Sequence, residues 1–488
     1  MTDTICAPAT ASGGALGIIR VSGPQAHSIV STLCPLCCDT VAANTTHFTR
    51  IITPVPGAPP PCAAVPDASP SGATVPGAPP PGAVVPDASP SGPPKEVIDE
   101  ALVTIFRAPH SYTGEDSVEI SCHGSPYIIN KILELLIQQG CRMATPGEFT
   151  QRAYLNGKMD LSQAEAVADL IASTNQATHR IAISQLRGGI STDLARLRDH
   201  LLKLTSLLEL ELDFSDHEDL EFADRNELLA IAQTIETHIS RLAKSFETGQ
   251  AIKQGIPVAI VGKTNVGKST LLNRLLHDDR AIVSDIHGTT RDTIEETLDI
   301  HGVTFRFIDT AGIRQTTDAV EQIGIARTYQ AIDRARIVLW LFDEQPSEEE
   351  AQEMAAHAQG RAILPIHTKS DLSPLCCDNI AAFPTILSIS AKTGKGIEIL
   401  EQAIYDAADL PTLSVSDVII TNARHYEALC RAHVSIQRVI EGLRSGLSGD
   451  LLSEDLRQVL DILAEITGGQ ITPQETLNTI FSHFCVGK

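Results

Sequence analysis

Long apolar runs are missing from this chain. Nothing in it approaches the ~20 consecutive apolar residues that span a bilayer, and Ile337-Val-Leu-Trp-Leu-Phe342 has the length of a buried strand. The segment from Met1 to Arg20 places Asp3 ahead of any cation and breaks its apolar stretch with Gly and Ser, unlike a secretory signal or an Arg-rich transit peptide. A cytoplasmic protein with no membrane partner is the expectation. Cations are scarce as well. With 37 Lys+Arg against 60 Asp+Glu the net charge is −23, which argues against a broad phosphate-binding surface; a nucleic-acid partner would need a local basic patch or a helper protein. Paired cysteines are not implied either, because eleven is an odd number and fits free thiols in a reducing compartment better than a disulfide framework. Cys34-Pro-Leu-Cys37 has CxxC spacing without a second pair nearby, and reads as an ordinary thiol pair.

What is present divides into blocks. A chain of 488 residues exceeds one core, and domains of ~100–200 residues suggest about three. Residues 53–94 are a low-complexity block in which Val55-Pro-Gly-Ala-Pro-Pro-Pro recurs from Val75. So Pro-rich and small a segment has too little apolar surface to offset its ordering entropy, and reads as a solvated insertion. Strand-like runs flank it, Gly17-Ile-Ile-Arg-Val21 and Ala101-Leu-Val-Thr-Ile-Phe106, so it splits one N-terminal domain.

From Leu161 the pattern turns helical, and Ile190, Leu194, Leu197, Leu201, Leu204 and Leu208 step by four and three along one seam. The acidic run from Glu209 to Glu221 reads as a solvated helix end. After Gly255 strands and helices alternate, with strands near 256–261, 303–308, 337–342, 362–366 and 385–389, a doubly wound α/β unit. Helical pattern resumes over 422–440, 453–466 and 473–484, so the α/β unit is most simply an insertion into one helical domain. Gly446-Leu-Ser-Gly449 has GxxG spacing, but Leu-rich helices surround it and Arg444 is its only close cation, so it reads as a helix break.

The chemistry is concentrated in that unit. Gly262-Lys-Thr-Asn-Val-Gly-Lys-Ser269 fits the phosphate loop and lies between a strand and a helix, the context the motif requires. Its glycines let backbone N–H groups approach phosphates, and a helix N-terminus favours their charge. Lys268 should reach the β- and γ-phosphates and Ser269 should ligate Mg²⁺. Asn265, Val266, Gly267 and Thr270 complete the nucleotide contacts expected of this loop. Asp309-Thr-Ala-Gly312 supplies a second acidic group and an N–H for the γ-phosphate, and Gly288-Thr-Thr-Arg-Asp292 offers a switch threonine. Asp371 of Thr368-Lys369-Ser-Asp371 can accept two hydrogen bonds from the guanine edge, worth ~1.5–3 kcal/mol each, which rejects adenine. Ser390-Ala391-Lys392 is suited to contact the base from its backbone. Two positions depart from the common GTPase pattern. Thr368 stands where Asn is usual, which removes an amide and loosens the guanine loop, and Ile313 follows Gly312 where a water-orienting Gln is common.

These motifs, with Gly13-Gly-Ala-Leu-Gly-Ile-Ile-Arg20, Ser111-Tyr-Thr-Gly-Glu-Asp-Ser-Val-Glu119, Pro146-Gly-Glu-Phe-Thr-Gln-Arg-Ala-Tyr-Leu-Asn-Gly-Lys158 and Phe484-Cys-Val-Gly-Lys488, resemble the tRNA-modification GTPase MnmE (TrmE) family over nearly the whole chain. The resemblance implies a multidomain α/β plus all-α protein: an N-terminal α+β folate-binding and dimerisation domain (1–157), a helical bundle in two parts (158–255 and 412–488), and an inserted Ras-like P-loop GTPase domain (256–411). It implies a homodimer acting with a flavoprotein, MnmG (GidA), on the wobble uridine of tRNA. The one-carbon unit would come from a tetrahydrofolate derivative, formyl- or methylene-tetrahydrofolate.

By position, Arg20, Glu119, Lys158 and Lys488 match the family's folate contacts. Asn265, Ser284, Ile286 and Thr289 match its potassium site, and Ser269 with Thr290 its Mg²⁺ pair. Ser284 and Thr290 also fall among the GTP contacts. Glu321 matches the residue that positions water and joins Lys268 as catalytic; an exposed helix-start carboxylate is the other reading of Glu321. Cys485 reads equally as a reactive thiol beside cations or as a packed structural cysteine. A rival function, a GTP-driven assembly or ribosome-binding switch, lacks folate chemistry and is distinguished by whether the protein binds tetrahydrofolate.

Overall fold

The computed structural model describes residues 3–11, 13–54, 96–213, 225–278, 296–308, 329–373, 383, 385–410, 418–469, 474–482, 484, 485 and 487. The chain forms two compact units, Met1–Ala168 with Ile471–Lys488, and Asp169–Gln470. Residues 158–168 and 471–488, expected with the helical domain, therefore group with the N-terminal unit. The repeat-bearing insertion lies almost wholly outside the described residues.

The first unit is built on strands β1 (Ile5–Pro8), β2 (Leu16–Ser22), β3 (Thr45–Ile52), β4 (Val97–Phe106), β5 (Ser117–His123) and β6 (Arg142–Met143), in the order β3-β4-β5-β2-β1-β6. All pairings are antiparallel except β1 with β6. Strand β5 alternates cleanly: Val118, Ile120 and Cys122 are buried while Glu119 and Ser121 are partly exposed. That period of two lays one face of the sheet on α1 (Ala26–Leu33) and α2 (Pro126–Gln138), whose Ile29, Leu33, Ile132 and Leu136 close the core. Helix α3 (Glu148–Leu155) and the start of α4 (Leu161–Ala172) follow, and Phe481 and Phe484 from the chain's end pack with Leu161 and Ala164.

In the second unit the seam residues Ile190, Leu194, Leu197, Leu201, Leu204 and Leu208 are all buried on α6 (Gly189–Asp213). They meet Leu228, Ile235 and Ile239 of α7 (Arg225–Gln254) and the faces of the helices Ala423–Ser445 and Gly449–Thr467 in one core. Segments from both sides of the α/β unit thus share a single bundle. Gly446, at φ +74, caps the first of the two C-terminal helices, the break expected there. The acidic run lies outside the described side chains beyond Glu209.

The α/β sheet runs β12-β11-β10-β7-β9-β8, with β7 (Ile256–Gly262), β9 (Val303–Ile308), β10 (Ile337–Phe342), β11 (Ala362–His367) and β12 (Leu387–Ser388) parallel. Strand β8 (Glu296–Ile300) is an antiparallel edge. Strands buried on both faces explain the continuous apolar runs. Ile337, Leu339 and Leu341 enter the core with α8 (Lys268–Asp278), whereas Val338, Trp340 and Phe342 enter the one beneath the helix Glu348–His357. Only Leu387–Ser388 of the expected strand 385–389 pairs as strand. Among the described residues no helix is long and apolar enough to cross a membrane.

Among the described residues Cys6, Cys34, Cys38, Cys122, Cys141, Cys430 and Cys485 are free. Cys37, by contrast, is disulfide-bonded. That corrects the expectation of an ordinary thiol at this end of the CxxC.

Candidate functional site

Strand β7 stops at Gly262 because no other residue fits there. A Cβ at this position would lie 2.3 Å from the Leu341 carbonyl oxygen, and φ is +153. The chain then loops through Asn265, held at φ +62, and buries Val266 before α8 begins at Lys268. Lys268 bends back over the loop, its Nζ donating to the carbonyls of Gly262 at 2.7 Å and Lys263 at 2.8 Å. Burial of this ammonium pushes its pKa down from the ordinary lysine value. Among the described residues this half-buried cation is satisfied by neutral carbonyls alone, which leaves it poised for an anion, so the loop fits the phosphate groups expected of it. Asn265 is exposed and its side chain has no hydrogen bond among the described residues. Ser269 is partly buried at the helix start and Thr270 is exposed.

The base-reading segments converge on the same end of the sheet. Strand β11 delivers Thr368, whose hydroxyl donates to the carbonyl of Val266 at 2.7 Å with the Phe342 carbonyl at 3.3 Å. The looser guanine loop expected from the missing amide is thus corrected: a buried threonine ties this loop to the phosphate loop. Lys369, at φ +55, ion-pairs with Asp343 at 2.7 Å. Asp371 is held below the usual carboxylate range by a hydrogen bond from Ser390, then by its own backbone N–H, with the charge of Lys392 assisting. Ser390 is buried, its N–H donating to Lys395 O at 2.9 Å and its O accepting from Gly394 N at 2.9 Å, so the Ser390–Lys392 turn is rigid beneath the carboxylate. Ala391 is partly buried and Lys392 exposed at this turn.

Asp343 was missed by the sequence reading; its signal was an acid directly after the apolar strand β10. Ser284, Ile286, Thr289, Thr290, Asp309, Gly312 and Glu321 lie outside the described residues. So does Lys488. No group of three or more His, Cys, Asp or Glu suited to a metal occurs among the described residues.

The first unit gathers a separate constellation. Register places Arg20 of β2 opposite Glu119 of β5, and the guanidinium donates to Glu119 Oε1 at 2.7 and 2.9 Å. Its third contact is the Gly487 carbonyl at 3.3 Å. The guanidinium carbon lies 5.2 Å from the Tyr112 ring centroid and 5.7 Å from that of Phe149, distances of cation–π attraction. Behind Phe149, fully buried Arg152 of α3 bridges Glu115 at 3.2 Å, Glu148 at 3.0 Å and Asp3 at 2.9 Å. Lys158 is exposed and donates to the Pro109 carbonyl at 2.9 Å rather than to Arg20's group. Phe149 is fully buried beneath the guanidinium, so what the constellation offers a ligand is the anchored Arg20–Glu119 pair beside the partly buried Tyr112.

A phosphate loop whose lysine is folded over it, tied through a threonine to a carboxylate held ready for a base edge, defines a GTPase of the P-loop class. Comparison with known proteins narrows this. The model of the MnmE helical domain matches residues 161–485, and that of the GTP-binding protein TrmE N-terminus matches residues 72–158. The chain is 52% identical to the tRNA modification GTPase MnmE of Phocaeicola vulgatus, covering 100% of this chain and 99% of that one. It is 50% identical to the same-named protein of Parabacteroides distasonis, with 100% of both covered. The chain belongs to the tRNA modification GTPase MnmE family. A solved structure of Era in complex with MgGDPNP and a 16S ribosomal RNA fragment matches 37% of this chain and 66% of that one at 25% identity, with a TM-score of 0.24.

Proposed function

We propose that this chain is a potassium-dependent GTPase that works as a cytoplasmic homodimer with an MnmG-type flavoprotein to modify the wobble uridine of tRNA, taking the one-carbon unit from a tetrahydrofolate derivative. GTP hydrolysis drives pairing of the GTPase domains and the accompanying conformational change. The observation that carries the hydrolytic part is the phosphate loop itself: Lys268 rests on its carbonyls, and the exposed amide of Asn265, at φ +62 in the same loop, has no hydrogen bond among the described residues. An amide oxygen suits a large monovalent cation, and such a charge, when bound, offsets charge developing between the β- and γ-phosphates. Lys268 binds the phosphates and Ser269 would hold Mg²⁺ with Thr290. Ser284, Ile286 and Thr289 would complete the potassium ligands, and Glu321 would orient water in place of the missing Gln. Asp309 and Gly312 would meet Mg²⁺ and the γ-phosphate.

The folate part is supported by the Arg20–Glu119 pair between Tyr112 and Phe149. Lys158 and Lys488 would supply further charge to the ligand's acidic tail. Turnover compared in potassium and sodium at matched ionic strength tests the first half. The expected result is a steep rise in potassium that Asn265→Ala abolishes while GTP still binds, and equal rates in both salts would sink it. Calorimetry with a reduced folate tests the second, and unchanged affinity in Arg20→Ala would remove its support.

A further inference from the structure

The charge balance of the chain left any nucleic-acid contact in need of a local basic patch, and the second unit contains one. Helix α5 (Gln176–Leu186) and α6 are joined at Gly188, at φ +82, and the two helices wall a cleft of about 480 Å³. Arg180 and Arg187 lie seven residues apart on one face of α5 and its C-terminal end, about 10 Å along the axis. Arg196 enters from α6, and His179 adds a further ring nitrogen.

Arg180 and Arg187 are not accounted for by intramolecular pairing. All three arginines are exposed, and none has an ion pair within 4 Å or a side-chain hydrogen bond among the described residues, although, behind the hydrogen bond from His238, the charge of Arg196 helps to hold the carboxyl of Asp193 low. Arg180 and Arg187 have no acid three or four residues away, the spacing at which a helix would pair them internally. The one carboxylate in the lining, Asp193, is buried and committed to His238 at 2.7 Å, with Arg241 at 4.0 Å. The cleft therefore sets three arginines against one spent acid, in a chain where acids outnumber cations 60 to 37. Guanidinium is the side chain suited to forked contacts with phosphate oxygens.

We infer that this cleft binds the phosphate backbone of the RNA substrate, an inference that rests on the tRNA-modification reading. Three exposed arginines around one cleft make a concentrated positive charge that complements a polyanion of fixed phosphate spacing, and the chain's own acidic balance gives them no other role of that kind.

The test is binding of an unmodified tRNA transcript to the full-length chain across a salt series. Arg180→Gln/Arg187→Gln/Arg196→Gln should reduce the salt slope by about 2–3 and weaken binding some tens-fold at moderate salt. Replacing all three by Lys should keep most of the slope, because charge is retained. Melting temperature and RNA-free GTP hydrolysis should stay at wild-type values, which shows that the variant is folded. Wild-type affinity and slope in the Gln variant would overturn the cleft and leave the tRNA reading intact. A wild-type chain without salt-dependent tRNA binding would overturn both. Undiminished tRNA binding together with loss of the protein partner would assign the cleft to an acidic protein instead.

Discussion

The two constellations differ in how they are assembled. In the second unit, Gly262 to Ser269 form one contiguous loop whose conformation is set by its own sequence, and Thr368 reaches it across a single parallel sheet. In the first, Arg20 meets Glu119 from another strand, Tyr112 from a loop, Phe149 from α3 and Gly487 from the end of the chain. The contiguous site needs only a strand and a helix to exist. The dispersed one exists only when the whole unit is folded, so its chemistry and its stability are the same problem.

That contrast can be broken most sharply at Lys268. Lys268→Ala removes the cation aimed at the phosphates and should lower GTP turnover by about 10³-fold or more. Melting of the first unit and binding of a reduced folate should not change. A folate affinity that moved with Lys268 would show that the two sites are not separable.

The reverse experiment is Arg152→Met. Removing this fully buried cation takes away the ion pair of the largely buried Glu115 and leaves Asp3 and Glu148 with Arg142 alone, and should cost about 3–5 kcal/mol of the first unit's stability. GTP turnover should survive at temperatures below the new transition. The same cage sets an acid limit. Burial opposes ionisation of Glu148, but hydrogen bonds from Arg142, Thr145 and Arg152 outweigh it and hold the carboxyl at about 2, well below the ordinary 4.5. A group depressed in the folded state contributes fully above its unfolded value, so this stability should fade as pH drops from about 4.5 towards about 2. Glu148→Gln should flatten that window in acid melting curves.

Base choice offers a finer comparison. Asp371→Asn should cost roughly 10- to 100-fold in preference for guanine nucleotides, the scale of a lost charged hydrogen-bond acceptor. Xanthosine nucleotides should gain. A variant that still rejected both ATP and xanthosine nucleotides would place base selection elsewhere.

The same contrast decides what could be read in advance. Strands β7 and β10 were legible because burial on both faces writes an unbroken apolar run, and the seam of α6 because its leucines keep helical spacing. Strand β8 was not legible: Glu-Thr-Leu-Asp-Ile buries only Leu298 and Ile300 and looks like loop. Nor was the Arg152 cage, since Asp3, Glu115 and Glu148 stand in three separate segments and no local pattern brings three carboxylates to one arginine. Register, not composition, faced Arg20 with Glu119, and only the family resemblance pointed there. The cationic cleft was hidden by the chain's overall negative charge, since a sum over residues says nothing of where three arginines converge.

The smallest effect tests the tie between the loops. Thr368 is buried, and its hydroxyl donates to the Val266 carbonyl at 2.7 Å, so it couples the loop that selects the base to the loop that holds the phosphates. Thr368→Val keeps the shape and deletes the donor, leaving the Val266 carbonyl without it. A neutral hydrogen bond contributes about 1 kcal/mol, so guanine nucleotide affinity should fall about fivefold. The loss should appear in affinity more than in the rate of the bound complex, because no charge-bearing group near the phosphates is altered. Thr368→Asn restores a donor at greater reach and should return affinity to the wild-type level or modestly above it. If Thr368→Val bound GTP as the parent does, the hydroxyl would be a packing detail, and the contiguous site would be more local than the hydrogen bond suggests.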